Sequence, residues 1–370
     1  MTCDYQQLPH LGIRTLQPYI PGKPVNELAR ELGITDIIKL ASNENPLGCS
    51  QMVLKALADM PGQLIAAYPA PSIHPVKNKL SQKLVLNENQ ITLGNGSDFI
   101  FTLLMTAFAL HTNKHILTHD QAFLTYSVQA KTLGIPLVST PLMTNWEVDI
   151  QAMIKACNED TSLIFLANPN NPTGLLIPHD RIRLLLEAVP KTTIVVIDEA
   201  YYEFAYPIGD RLTLTLLEEF PNLVITRTFS KAYGLAGLRL GYALSSREIC
   251  ELLHRVQLPF SVNEAVLEAA NVALDDEEFL VQTLEINNIG LQQMRSGLEA
   301  LNLFALPSEC NFITFDCGMN AIPVYQELLT KGIIVRPLTQ YGLPNFLRVS
   351  IGIPEQNSRF LEQLYIIIEK

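Results

Sequence analysis

From about residue 90 onward, short apolar runs alternate with longer amphipathic stretches. The runs at 90–93, 115–118, 137–140, 162–167, 193–197, 223–226 and 239–243 are each bounded by Gly, Pro, Asn or Asp, and they predict strands. Stretches such as 99–109 and 180–188 have apolar residues at helical spacing and predict helices between several of those strands. Short strands alternating with helices imply an α/β fold whose central sheet is mostly parallel and covered on both faces. Sheets of that kind carry their sites at the carboxyl ends of the strands.

The pattern changes on either side of this region. Residues 1–40 carry Pro9, Pro18, Pro21 and Pro24 and one helix-like stretch at 25–33, and they read as an arm. Residues 263–301 have long helical periodicity, followed by a compact strand-and-helix region that ends near 368. The length of 370 residues favours more than one core. The expected division is an arm at 1–40 that packs on the small domain or a partner subunit, a large domain at 41–262 and a smaller α/β domain at 263–370.

Charge and cysteine usage narrow the function classes. Acidic residues outnumber basic ones, 37 to 26. That balance argues against nucleic acid or an anionic membrane as partner, and it leaves room for an anionic small molecule held by a few arginines. The cysteines are scattered without a C-x-x-C pair, so reduced thiols and a cytoplasmic location are expected. The residues after Met1 are polar, unlike a signal peptide, and no apolar run approaches the ~20 residues that cross a bilayer. His111, His115 and His119 are four apart, but 115–118 reads as a strand, so they would share no helix face and no metal site is expected.

The chemistry lies in four segments. Lys231 sits in Arg227-Thr-Phe-Ser-Lys231-Ala-Tyr-Gly-Leu-Ala-Gly237-Leu-Arg239-Leu-Gly241, directly after a predicted strand. A lysine at a strand tip, with a hydroxyl and an arginine nearby, suits a Schiff-base cofactor with a phosphate tail. Gly94-Asn95-Gly96-Ser97-Asp98 follows a strand and opens a helix, where free amides attract phosphate. Asn168-Pro-Asn170-Asn171-Pro172-Thr173-Gly174 forms a loop in which Asn171 can aim an amide at a ligand oxygen. Asp198 ends a fully apolar run, where a carboxylate calls for a cationic partner such as a pyridinium nitrogen.

In order and spacing these segments resemble the aspartate aminotransferase-like, fold type I family of pyridoxal-phosphate enzymes. The resemblance implies pyridoxal 5′-phosphate as cofactor, with Lys231 as its Schiff-base lysine and Asp198 on the pyridine nitrogen. Asn171 and Tyr201 would bond the ring oxygen, Ser97, Asp98, Ser230 and Arg239 the phosphate, and Phe123 would stack on the ring. Tyr68 matches a tyrosine that reaches the phosphate from the partner subunit, which implies an obligate homodimer. Catalytic roles fall to Lys231, Asp198 and Tyr201.

Arg336 and Arg348 lie on short predicted strands, and a planar guanidinium binds carboxylate or phosphate bidentately. The segments 16–24 and 40–48 further resemble histidinol-phosphate aminotransferases over nearly the whole chain. That likeness implies transamination between L-histidinol phosphate and 2-oxoglutarate, giving imidazole acetol phosphate and glutamate in histidine biosynthesis. Tyr19, Arg336 and Arg348 would hold the substrate phosphate, and Asn311 resembles a position near the substrate. Aminotransferases of aromatic amino acids and threonine-phosphate decarboxylases carry the same motifs, so these substrates stay open at this point.

Overall fold

The computed structural model describes residues 3–16, 22–70 and 74–369. Its strands are β1 (Ile38–Lys39), β2 (Ile91–Gly94), β3 (His115–His119), β4 (Leu137–Thr140), β5 (Thr161–Ala167), β6 (Ile194–Asp198), β7 (Leu223–Thr228), β8 (Gly241–Ser245), β9 (Phe312–Asp316), β10 (Ile333–Ile334), β11 (Arg336–Pro337) and β12 (Phe346–Ser350). Every strand predicted between residues 90 and 243 is present, with ends shifted by a residue or two.

A seven-stranded sheet in the order β2-β8-β7-β6-β5-β3-β4 forms the centre. Strands β3 to β7 run parallel, whereas β8 is antiparallel to both its neighbours, β7 and β2. Side-chain alternation divides each strand between two cores. On β6, Val195 and Ile197 enter one cluster while Ile194 and Val196 enter the other. Helices close both faces, which is why β5 and β6 are buried along their whole length.

The last part of the chain has its own sheet, β11-β12-β9, and its own core around Phe315, Leu347 and Phe360. Strand β1 pairs with β10, so residues 38–40 are fastened to this part, and Leu28 packs on Ile334. The short helix Leu11–Arg14 instead lies against the large sheet's helix Leu124–Leu133, where the His10 ring meets the Thr132 carbonyl at 3.0 Å.

The helical periodicity of 263–301 resolves into two helices, Glu264–Ala273 and Glu277–Ala300. Asp276 separates them, because its carboxylate accepts from the Phe279 amide at 3.0 Å and starts a new helix. Val266, Leu267 and Ala270 of the first helix pack in the large core. No described helix is long and apolar enough to cross a membrane.

Candidate active site

A cleft of about 310 Å³ opens at the carboxyl ends of the central parallel strands and is closed on its other side by β11 and β12. Asp198, the final residue of β6, is 3% exposed. The Tyr126 hydroxyl donates to its Oδ2 at 2.8 Å and the Thr226 hydroxyl to Oδ1 at 3.0 Å. Burial pushes this carboxyl up to about 7, and the two hydroxyls pull the other way.

Lys231 sits in the turn after β7, where its Nζ donates to the Ser42 carbonyl at 3.2 Å and lies 5.8 Å from the Tyr201 ring centre. Burial, reinforced by the charge on Arg348, lowers its pKa to about 8. The Tyr201 hydroxyl accepts from Asn43 Nδ2 at 2.8 Å and Asn171 Nδ2 at 3.3 Å, and burial holds this phenol above its ordinary value.

At one end of the cleft the backbone forms a cradle. Gly96 has φ +77° and hands its chain to the helix Ser97–Phe108, whose first amides face the space beside Arg239 and Ser230. The Arg239 guanidinium reaches Asp98 Oδ2 at 3.4 Å and Ser230 Oγ at 3.5 Å. A side chain on Gly96 would meet that guanidinium at 2.5 Å, and one on Gly241 would meet the Ser97 nitrogen at 2.4 Å. Arg239 itself adopts φ +66° in a turn, not the strand predicted at 239–243. Phe123 precedes the helix Leu124–Leu133 and meets the Tyr126 ring edge to face at 5.7 Å.

At the other end, Arg336 on β11 stands directly opposite Arg348 on β12. Both are buried, and like charges placed opposite each other across a strand pair are unfavourable without an anion between them. Arg348 donates to Asn171 Oδ1 and, at 3.0 Å, to the Ala41 carbonyl, while its buried Nε has no hydrogen-bond partner among the described residues. Arg336 donates to Gln340 Oε1 at 3.2 Å.

The cleft thus gathers Ser97, Asp98, Phe123, Asn171, Asp198, Tyr201, Ser230, Lys231, Arg239, Arg336 and Arg348. Two expected residues stand apart, and a third, Tyr19, lies outside the described residues. Asn311 does not line it, because its amide is committed to the Asn43 carbonyl at 3.0 Å behind the wall. Tyr68 points outward, 81% exposed, and stacks on Phe260 at 4.5 Å. Conversely, Tyr126, Thr226 and Asn43 bond the central groups without having been assigned that work from the sequence. Tyr126 carried a signal, since it follows the expected ring-stacking Phe123 by three residues in the same segment.

His74, Glu264 and Glu268 bring candidate metal-ligand atoms within 4.8 Å of one another. There Nδ1 of His74 accepts from the Val76 amide, so its proton sits on Nε2 facing Glu268 at 3.3 Å, and the ring serves as a helix cap joined to a carboxylate.

The donor set of the cleft fits pyridoxal phosphate: a buried carboxylate for a ring nitrogen, a buried amine, an amide-lined phosphate cradle and an aromatic wall. Residues 35–364 match the family model of aminotransferase class I and II. The chain is 56% identical to histidinol-phosphate aminotransferase 2 of Legionella pneumophila strain Lens over 98% of its length and 99% of that protein. It is 45% identical to the protein of the same name from Pseudomonas aeruginosa, over 98% of both. The crystal structure of histidinol-phosphate aminotransferase from Sinorhizobium meliloti in complex with pyridoxal-5′-phosphate superposes with a TM-score of 0.87, at 26% identity and 98% coverage of each chain.

Proposed function

We propose the reaction of this site from one premise: the chain belongs to the class I and II aminotransferases. It is a pyridoxal-phosphate-dependent transaminase that exchanges the amino group of L-histidinol phosphate with 2-oxoglutarate, giving imidazole acetol phosphate and glutamate. The observation that carries the substrate is the buried pair Arg336 and Arg348, set side by side across β11 and β12 in the same cleft as the Lys231 amine. Two guanidiniums there suit a phosphate dianion in one half-reaction and the carboxylates of glutamate in the other. Tyr19 is assigned to the same grip. Asn311 supports the cleft through Asn43.

When bound, the cofactor supplies an electron sink for negative charge at the substrate α-carbon. Ser97 and Asp98 amides, Ser230 and Arg239 hold its phosphate, and Phe123 covers one ring face. Asn171 and Tyr201 hold the ring oxygen. Asp198, buried and positioned by Tyr126 and Thr226, keeps a proton on the ring nitrogen. Lys231, as general base, would take the proton from the substrate α-carbon and return it to the carbon on the far side of the amino nitrogen, and a pKa of about 8 suits that work at neutral pH.

The same reading makes the molecule a cytoplasmic homodimer. Tyr68 and Phe260 form an exposed stacked aromatic pair, as an interface would, and Tyr68 would reach the partner's phosphate cradle from it. The part of the arm from 25 to β1 belongs to the small domain, whereas the helix Leu11–Arg14 packs on the large one. The division between large and small domains falls after the helix Glu264–Ala273, near 275 and not at 262, since that helix packs in the large core.

Replacing Arg348 with Ala tests the substrate grip. It is expected to raise KM for both histidinol phosphate and glutamate by about a hundredfold, the loss of a buried charge-assisted contact. An unchanged KM for both would remove the arginines from the substrate site.

A further inference from the structure

On β12, Leu347 and Val349 turn into the core of the small sheet, so Phe346 and Arg348 share the opposite face. Leu338 follows β11 directly, and its amide donates to the Phe346 carbonyl at 3.0 Å, which continues the ladder past the Arg336–Arg348 pair. Leu338 and Phe346 therefore form the row next to the arginines. With Tyr341 and Leu343 they make an apolar cluster separate from the larger cores. Two residues from the side of the large sheet complete it, Leu124 and Trp146.

Trp146 comes from a turn that follows β4, the edge strand of the large sheet. Leu142 and Val148 form an antiparallel bridge across this turn. Inside it the Met143 amide donates to the Glu147 carbonyl at 2.8 Å, and the Trp146 amide to the Met143 carbonyl at 2.9 Å. Within 143–147 only Trp146 is partly buried, and its neighbours are exposed. Its ring lies 5.1 Å from the Phe346 ring, tilted by 59°. The residue has φ +71°, a left-handed backbone that a bulky side chain rarely adopts and that persists only where surrounding contacts hold it. A polar contact runs beside it. Gln121 Nε2 donates to the Tyr341 carbonyl at 3.3 Å, and Asn170 Nδ2 donates to the Gln121 carbonyl at 3.2 Å.

We propose that Trp146 is a positioning residue, which fixes the edge of the small sheet that bears Arg336 and Arg348 and so sets the place of the substrate's anion relative to Lys231. This role rests on the reading of the two arginines as the substrate grip. Strand β11 is an edge strand and pairs with β12, while β9 forms the other edge. The β9 edge is tied to the Asn168–Gly174 loop, where the Thr314 hydroxyl donates to the Pro172 carbonyl. The β11 edge is tied by the indole, packed one row from the arginines. Leu124, on the same cluster, follows the ring-covering Phe123 and lines the cleft. Trp146 thus joins the wall that faces the cofactor to the strands that face the anion. Without the indole both arginines remain, but their row is free to shift, and a displacement of about 1 Å in a held substrate is enough to cost rate. A substrate without an anionic group does not use that row.

The test compares histidinol phosphate with histidinol, which has no anionic group, as substrates of the cofactor-loaded protein. Trp146→Ala is expected to lower kcat/KM for histidinol phosphate by about tenfold and to leave that for histidinol unchanged. Trp146→Phe, which keeps a ring against Phe346, is expected to recover most of the loss. Calorimetric titration with inorganic phosphate should show the same order, with binding weakened in Trp146→Ala and recovered in Trp146→Phe. Trp146→Leu serves if Trp146→Ala does not fold, and the same selective loss is expected of it. An equal loss with both substrates, no loss with either, or no recovery in Trp146→Phe would overturn the proposal. Failure of the arginine grip shows in the wild type, which would then treat the two substrates alike, whereas failure of the Trp146 role shows only in the variants.

Discussion

Burial acts on Asp198 and Lys231 in opposite directions, raising one to about 7 and lowering the other to about 8, because it penalises whichever form is charged. For the cofactor-free protein this has a sign. Between the ordinary carboxyl value of 3.8 and about 7, the folded state keeps a proton that the unfolded chain has lost. Stability should therefore fall as pH rises through that window, and Asp198→Asn should flatten the dependence. Melting curves of the cofactor-free proteins at about pH 5 and about pH 8 check it. Lys231→Ala should cost about 10²–10⁴-fold in turnover, the usual share of a general base, as read from single-turnover rates with histidinol phosphate. Tyr126→Phe removes a donor that stabilises the Asp198 carboxylate, so activity should fall by about tenfold and its acidic limb should move to higher pH. Lys231 and Asp198 stood out in the sequence because one follows and the other ends an apolar strand, with a group too costly to bury without purpose. Tyr126 and Thr226 were not, because a tyrosine or threonine in a core needs no special reason until the distance to its partner is known.

At the level of helices and strands, the sequence was most readable where burial is complete. The central strands β5 and β6 carry nearly continuous apolar runs and appear within a residue of their expected ends. The boundaries that moved have local causes. Arg239 left its expected strand for a turn with positive φ, which aims its guanidinium at Ser230 and Asp98. The long periodic stretch divided at Asp276, whose capping bond outweighs continuity of the apolar pattern. At the phosphate cradle a Cβ added to Gly241 would meet backbone atoms of Gly96 and Ser97. Gly241→Ala should therefore weaken cofactor affinity by about tenfold or more, since backbone atoms cannot step aside as a flexible side chain can. Equilibrium dialysis with pyridoxal phosphate measures the effect.

At the level of the whole molecule, the α/β class and the separate carboxyl-terminal sheet followed from the order of elements. The antiparallel insertion of β8 between β7 and β2 did not, because it depends on pairing across 150 residues of chain that no local pattern records. Tyr68 had a motif to mark it, and its exposed position agrees with the proposed dimer. Phe260→Asp should convert a dimer to monomers in sedimentation velocity and reduce activity along with it, whereas a surface control such as Glu355→Ala should do neither.

The reaction and the phosphate grip come together in an absorbance titration of the pyridoxal-phosphate-loaded protein with L-histidinol phosphate, then with histidinol and phenylalanine in separate cuvettes, no keto acid being present. Complete conversion to the pyridoxamine spectrum by low histidinol phosphate, with histidinol needing far higher concentrations, is the expected result. Equal response to histidinol, or conversion by phenylalanine at comparable concentration, would contradict the role given to Arg336 and Arg348.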